Sequence, residues 1–169
     1  MAVVPWSPWR GAFFMTKTNT MRLLDAAGIY YSVREFPVDE ADLSAIHAAE
    51  ALGIPVEQVF KTLVLQGVSG LYFVCCIPGA SELDLKKTAR AVKEKSVNLI
   101  PMKDIQPLTG YIRGGCSPIG MKKHFPTFID ETAQLFDEIS VSAGERGLQL
   151  IIAPQDLAGF IHAQFADIS

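Results

Sequence analysis

The chain of 169 residues is 49% apolar and 20% charged, with a net charge of −3. These values are typical of a globular domain with a sizeable core, and they exclude a wholly disordered chain. No uncharged apolar run approaches the roughly 18 residues of a transmembrane helix, so the sequence predicts a soluble protein. The three cysteines include the neighbours Cys75 and Cys76 and form no CxxC pair. This usage suits the reducing cytoplasm and predicts neither a metal site nor a cofactor.

The first segment, residues 1–14, contains two tryptophans and two prolines but lacks a sustained apolar stretch with a small-residue cleavage site. It is therefore not an export signal. We expect an N-terminal extension, disordered or non-native, that adds little to the fold. The folded domain is predicted over residues 15–169.

Helical and strand-like patterns follow one another in irregular order along this domain. The runs on either side of Gly67-Val68-Ser69-Gly70 predict an antiparallel hairpin, because turn-forming residues separate two β-rich segments. Helices are predicted over 18–27, 43–52 and 154–163, and strands over 29–36, 59–66, 71–77, 96–100, 111–114, 127–130, 138–141 and 148–152.

A further helix is predicted after residues 81–84, where Ser-Glu-Leu-Asp resembles a capping box. Residues three and four apart share a helix face, so the pattern separates an apolar face from a basic one. The apolar face holds Leu85, Ala89 and Val92, and the basic stripe holds Lys86, Arg90 and Lys93.

Charge is distributed unevenly along the chain. Residues 86–123 contain nine Lys or Arg but only two acidic residues, so this segment carries +7 and the remainder −10. One interpretation is a single surface that binds a polyanion, and the other is a solvated helix face.

The order of elements, with neither a GxGxxG nor a Walker sequence, disfavours a nucleotide-binding parallel sheet. It predicts a single α+β domain with a curved, mixed, mostly antiparallel sheet flanked by helices.

Residues 110–123 form the most informative segment, since glycines, a serine, a proline and two lysines fall within fourteen positions. Glycines let a backbone approach a ligand closely, and Lys122 and Lys123 add positive charge. The segment is a candidate site for a phosphate, a carboxylate or a reacting carbonyl oxygen. Alternatively, it marks turns between strands.

The sequence offers few catalytic groups. None of His47, His124 and His162 lies in a nucleophile motif, so a hydrolytic triad has little support. Cys116 activated by His124 remains an alternative nucleophile. The Asp130-Glu131 pair follows a strand and is interpreted as a cap or terminus. What remains is a pocket formed by Lys61, the backbone at Gly114 and Gly115, and small hydroxyls, without an evident general base.

Five segments of the chain form a further pattern: Val-Phe-Lys-Thr-Leu-Val at 59–64, Leu-Asp-Leu-Lys-Lys at 83–87, residues 109–120, Pro-Thr-Phe-Ile-Asp at 126–130 and Gly-Glu-Arg-Gly-Leu at 144–148. In this order they resemble the YbaK/EbsC family of bacterial editing proteins, which are related to the insertion domain of prolyl-tRNA synthetase. The resemblance extends over residues 16–169 and implies that family's barrel-like fold.

The resemblance implies a trans-acting deacylase that removes a wrong amino acid from tRNA, most typically cysteine from tRNA(Pro) or tRNA(Cys), beside prolyl-tRNA synthetase. Lys61 matches a functional lysine that holds the terminal adenosine or its phosphate. Gly114 matches the glycine whose N–H faces the scissile ester. In the cysteine branch the substrate thiol attacks its own ester and leaves as a thiolactone, formally a lyase reaction. The partner implied is a mischarged tRNA, bound through Lys86, Arg90, Lys93, Lys122 and Lys123.

Two residues depart from the family pattern: Phe36 replaces a tyrosine and Gln149 replaces an aspartate. They leave open the editing of Ala- or Ser-tRNA by a water or ribose-hydroxyl mechanism, or a noncatalytic tRNA- or nucleotide-binding module. Ser142 matches a pocket serine. Thr62, Gly115, Ser117 and Pro118 complete the predicted substrate-binding set.

Overall fold

Eight strands and five α-helices are present in the computed structural model, which describes residues 16–169. The predicted extension over residues 1–14 lies outside this part of the chain. The strands are β1 Ser32–Glu35, β2 Phe60–Gly67, β3 Tyr72–Pro78, β4 Val97–Leu99, β5 Thr127–Asp130, β6 Ile139–Ser142, β7 Leu148–Ile152 and β8 Gln164–Ala166. The helices are α1 Asn19–Ala27, α2 Ala45–Leu52, α3 Leu85–Val92, α4 Met102–Thr109 and α5 Pro154–Ile161, with 3-10 turns at Val56–Gln58 and Glu131–Leu135.

The strands form two sheets that meet along β2. One sheet is antiparallel with the order β1-β7-β6, and the other is mixed with the order β4-β2-β3-β5-β8. A single parallel bridge between Val59 and Ser140 connects them within the described residues. The α+β class and the mostly antiparallel pairing are confirmed. The expected single curved sheet is instead divided in two, and no closed barrel forms within residues 16–169.

The hairpin of β2 and β3 is the central pairing, and it confirms the turn predicted at residues 67–70. Phe60 pairs with Pro78 at one end and Gln66 with Tyr72 at the other. Because successive side chains of a strand point to opposite faces, Cys75 and Cys76 enter two different apolar clusters. The hairpin therefore has a core on each face.

Capping residues set the ends of the helices. Thr18 caps α1 and Ser44 caps α2, each with its side-chain oxygen accepting a backbone N–H. Helix α3 begins later than the proposed capping box: its N-cap is Asp84, whose carboxylate accepts the N–H groups of Lys86 and Lys87. Leu85 occupies the first helical position and is 41% exposed, although its spacing places it on the same helix face as the buried Ala89.

Three elements differ from the prediction. The strand expected over 111–114 is wrong, since Gly114 has a φ of 82° and the Gly115 N–H donates to the Ile112 carbonyl, which closes a turn. Helix α4 was not predicted because Pro107 lies inside it and reads as a breaker. Strand β8 is only three residues long and follows α5 directly.

No helix within residues 16–169 has the length and apolar content needed to cross a bilayer. The same part of the chain contains no group of three or more His, Cys, Asp or Glu side chains placed to hold a metal ion.

Asp130, at the end of β5, joins the last residues of the chain to the mixed sheet. Its Oδ2 accepts hydrogen bonds from the Ile168 and Ser169 N–H groups and from the Ser169 hydroxyl, at 2.7 to 3.3 Å. Its Oδ1 accepts from the N–H and hydroxyl of Thr132. Burial opposes ionisation, but these hydrogen bonds outweigh it and hold the pKa of Asp130 below its ordinary value. These contacts support the interpretation of Asp130 as a residue that caps or ends its strand.

We expect Asp130→Asn to lower the free energy of unfolding by about 2 kcal/mol, because an amide nitrogen would face donors in a buried position. The folded pKa lies below the unfolded value near 4, so the stabilisation is complete above about pH 4 and is lost as the pH falls through the folded pKa. Urea unfolding at neutral and acidic pH measures the difference. Asp137→Asn, at an exposed carboxylate, is the matched control, and an equal effect at both positions would contradict this role for Asp130.

Candidate active site

A cavity of about 400 Å³ opens where the two sheets meet, beside Val59. Strand β2 lines one side and the ends of β6 and β7 line the other. Loops before α2 and α4, and those around residues 114 and 146, complete it. Its volume is in the range of small-molecule sites.

The structure brings part of the predicted site together. Gly115, Ser117 and Pro118 are buried and do not line the cavity. The Ser117 hydroxyl instead accepts the Ile119 N–H at 3.2 Å, which fixes the loop internally. The predicted residues that do line the cavity are Phe36, Lys61, Thr62, Gly114, Ser142 and Gln149.

Lys61 reaches the cavity from the second position of β2. Its Nζ donates to the Gly79 carbonyl at 3.2 Å, and the side chain is partly buried. Burial lowers the pKa of Lys61 from its ordinary value, while the charge of Glu82 acts in the opposite direction. Lys61 therefore brings a partly desolvated cation to the cavity without a direct carboxylate partner within the described residues.

Gly114 contributes backbone to the cavity in a conformation that disfavours a side chain. Its φ is 82°, and a Cβ built there would lie 3.1 Å from the Leu43 Cβ. Within residues 16–169 no hydrogen-bond acceptor takes the Gly114 N–H, whereas the Gly115 N–H is used to close the turn onto Ile112. Of the two glycines proposed as an anion-binding backbone, only Gly114 has its donor available in this part of the chain.

Arg146, which belongs to the Gly-Glu-Arg-Gly-Leu segment and was not among the predicted site residues, also lines the cavity. Its Nε donates to the Arg113 carbonyl at 2.8 Å. No sequence pattern could reveal this contact, because the two residues lie 33 positions apart on different loops.

A polar pair crosses the antiparallel sheet beside the cavity. The Ser140 hydroxyl donates to the Gln149 Oε1 at 2.8 Å, and both side chains are buried. Ser142 lies opposite Gln149 in the strand register, and its Oγ accepts the Gly144 N–H. Since the Gln149 oxygen is engaged, its amide nitrogen is the atom left to meet a ligand.

Two further titratable groups of the cavity, Asp42 and Cys116, are respectively a poor base and a poor nucleophile. Asp39 and Asp42 accept the N–H groups of Ala41 and Ser44. Hydrogen bonding from Ser44, first through its side chain and then through its backbone, holds the pKa of Asp42 below its ordinary value. Burial raises the pKa of the Cys116 thiol to about 11, so it is protonated at neutral pH. None of the three histidines lines the cavity.

The predicted tRNA-binding cations lie on the surface and outside the cavity lining. Lys86 and Arg90 are exposed on α3, and Lys93 is exposed at its C-cap, where its φ is 62°. Lys122 and Lys123 are exposed in the later loop. Lys87, by contrast, donates to Asp167 and to the Ser169 carbonyl. Lys86, Arg90 and Lys93 thus differ from Lys87 in having no acidic partner among the described residues.

The chain belongs to the aminoacyl-tRNA editing domain family, whose sequence model matches residues 40–160. The resemblance noted in the sequence is thereby confirmed.

The chain is 48% identical over 153 residues to the Enterococcus faecalis protein named "Putative Cys-tRNA(Pro)/Cys-tRNA(Cys) deacylase EbsC", covering 90% of this chain and 93% of that one. It is 33% identical over 79 residues to proline–tRNA ligase of Fervidobacterium nodosum, a match that covers 47% of this chain and 14% of the ligase. Among solved structures, a "putative trans-editing enzyme for prolyl tRNA synthetase" superposes with a TM-score of 0.76 at 27% identity, over 91% of this chain and 99% of that one.

We predict that Gly114→Ala destabilises the protein more than Gly70→Ala. Both glycines have positive φ, so alanine costs about 1 kcal/mol of backbone strain at either position. A Cβ at residue 70 meets nothing within 4 Å, whereas one at residue 114 presses on Leu43. Chemical denaturation measures the free energy of unfolding of the two variants. Equal losses of that free energy would show that Leu43 shifts to accommodate the Cβ at no cost.

Proposed function

We propose that the protein is a trans-acting aminoacyl-tRNA deacylase that removes cysteine from tRNA(Pro) or tRNA(Cys). The observation that carries this proposal is the presence of Lys61 and an available Gly114 N–H in one cavity, in a chain 48% identical to a protein named for this activity. The 33% identity to part of a proline–tRNA ligase supports action in the context of prolyl-tRNA synthetase.

In the proposed mechanism the protein positions the ester and stabilises developing charge. Lys61 holds the terminal nucleotide through its phosphate or ribose, a task that suits a point charge on a flexible stem. The Gly114 N–H donates to the ester oxygen as it becomes an oxyanion. Both groups are in place before reaction, so little reorganisation is needed at the transition state.

The nucleophile is proposed to come from the substrate. Among the groups that line the cavity, Asp42 has a lowered pKa and Cys116 is protonated, so neither is suited to activate water. The cysteinyl sulfur would attack its own carbonyl carbon, the carbon–oxygen bond to the ribose would break, and the ribose oxygen would take the proton. The products are a thiolactone and free tRNA.

Two residues support a second candidate, the editing of alanyl or seryl esters. Gln149 presents a neutral amide where the family's cysteine branch has a carboxylate, and Phe36 lacks a hydroxyl. Both changes alter the polarity of the cavity, and Gln149 lies opposite Ser142 in the strand register. Discrimination between amino acids of this size commonly amounts to about 1 to 3 kcal/mol, so one polar change can redirect preference.

The deciding experiment measures deacylation of Cys-tRNA(Pro), Cys-tRNA(Cys), Ala-tRNA(Pro) and Ser-tRNA by the purified protein. We expect rapid loss of the cysteinyl esters alone, because only cysteine carries the thiol. Loss of alanyl or seryl esters would instead support the second candidate. No loss from any substrate would contradict catalysis and favour a binding module.

Two substitutions test the assigned chemistry in the same assay. Lys61→Ala should reduce kcat/KM by at least about a hundredfold, the order expected for a principal charged contact at a reacting centre, with the fold intact by circular dichroism. Cys116→Ala should retain activity, since the thiol is not the proposed nucleophile. Loss of turnover in Cys116→Ala would indicate a cysteine hydrolase.

We also propose that the α3 stripe contacts tRNA phosphates. Replacing Lys86, Arg90 and Lys93 together by Gln should weaken tRNA binding and reduce the steepness of log K against log salt by about 2 to 3. The reason is that each lost phosphate contact removes the release of about one counterion on binding. Lys87→Gln is the matched control on the same helix, since its amine is engaged by Asp167. An unchanged slope in the triple variant would identify the stripe as a solvated face.

A further inference from the structure

The peptide group between Arg113 and Gly114 is held by a side chain from another loop. Arg146 Nε donates to the Arg113 carbonyl at 2.8 Å. The C=O and N–H of a trans peptide point in opposite directions, and the described residues contain no cis peptide. The bond to Arg146 therefore also sets the direction of the Gly114 N–H.

The backbone alone does not impose this direction. Rotation of the peptide group changes ψ of Arg113 and φ of Gly114, and glycine tolerates φ of either sign. The observed φ of 82° is thus one of two accessible arrangements. In the rotated arrangement the Arg113 oxygen would replace the Gly114 N–H, and a carbonyl dipole would repel an oxyanion instead of stabilising it.

The loop that carries Arg146 is well placed to act as a fixed support. A Cβ built on Gly115 would lie 3.2 Å from the Arg146 backbone nitrogen, so the two loops are in close backbone contact. The Gly147 carbonyl accepts the Phe36 N–H at 2.9 Å, which ties this loop to the end of β1. Arg146 therefore reaches Arg113 from an anchored segment.

We infer that Arg146 is a positioning residue that keeps the Gly114 N–H directed at the reacting ester by holding the Arg113 carbonyl. The inference rests on the proposed function of Gly114 as the oxyanion donor. Arg146 acts through the peptide, and its Nε, not its charge, carries the effect.

A matched pair of variants separates the donor from the charge. The Gln side chain places its amide nitrogen where Arg has Nε, whereas Met places a methyl group there, and both remove the charge. We expect Arg146→Met to lower kcat by about tenfold to a hundredfold with KM nearly unchanged, the order of losing an oxyanion-hole donor. Arg146→Gln should recover most of kcat. Arg22→Met, at an exposed position on α1, controls for the loss of a cation.

A spectroscopic measurement tests the same geometry without turnover. Labelling Arg with ¹³C and Gly with ¹⁵N restricts the HNCO spectrum to the Arg-Gly pairs at 10–11, 113–114 and 146–147. Arg146→Met should shift the 113–114 resonance, as its carbonyl loses a hydrogen bond and its N–H changes direction, and Arg146→Gln should restore it. In wild-type protein containing arginine labelled with both ¹³C and ¹⁵N, a scalar coupling across the Nε–H···O=C bond reports the contact directly, whether or not the variants fold.

Equal losses of kcat in the Gln and Met variants, or a rise in KM with kcat unchanged, would overturn the inference in favour of a charge contact with tRNA. An unmoved 113–114 resonance in Arg146→Met would overturn it as well, as would absence of the coupling in the wild-type protein. If the wild-type protein deacylates none of the four substrates, the proposed function fails, while the resonance shift and coupling still decide whether Arg146 holds the peptide.

Discussion

The meeting of the two sheets at β2 is the constraint on which the site depends. Strand β2 pairs with β3 and β4, and Val59, the residue before it, forms a bridge with Ser140 of the antiparallel sheet. Because only one bridge joins the sheets in the described part of the chain, their edges diverge from it and leave a cavity. The same strand carries Lys61 and Thr62 into that cavity, so the scaffold and the site share a single element.

The alternation of side chains along strands allowed several features of the central hairpin to be predicted from the sequence. The hairpin of β2 and β3, the separation of Cys75 from Cys76, and the placement of Lys61 on a strand all follow from a period of two residues. Helix α1 followed from a short local pattern of helical spacing. Such features depend on neighbours in sequence, and for that reason they could be predicted.

The parts that were missed depend on distant neighbours. Which of Gly114 and Gly115 has a free N–H is decided by one turn hydrogen bond. Helix α4 forms with Pro107 inside it, where local propensity predicts a break. The contact of Arg146 with Arg113 joins loops 33 residues apart. Composition signals that a loop binds something, but it does not say which backbone donors remain available.

The three cysteines differ in how accessible they are from the cavity. Cys75 and Cys76 are fully buried, whereas Cys116 is only partly buried and lines the cavity. A small alkylating reagent at mildly alkaline pH would therefore modify Cys116 before the other two thiols, at a rate limited by its raised pKa. Any molecule that fills the cavity would shield that sulfur. The protein thus carries an intrinsic occupancy reporter, which allows ligands to be ranked by competition without a label on the nucleic acid.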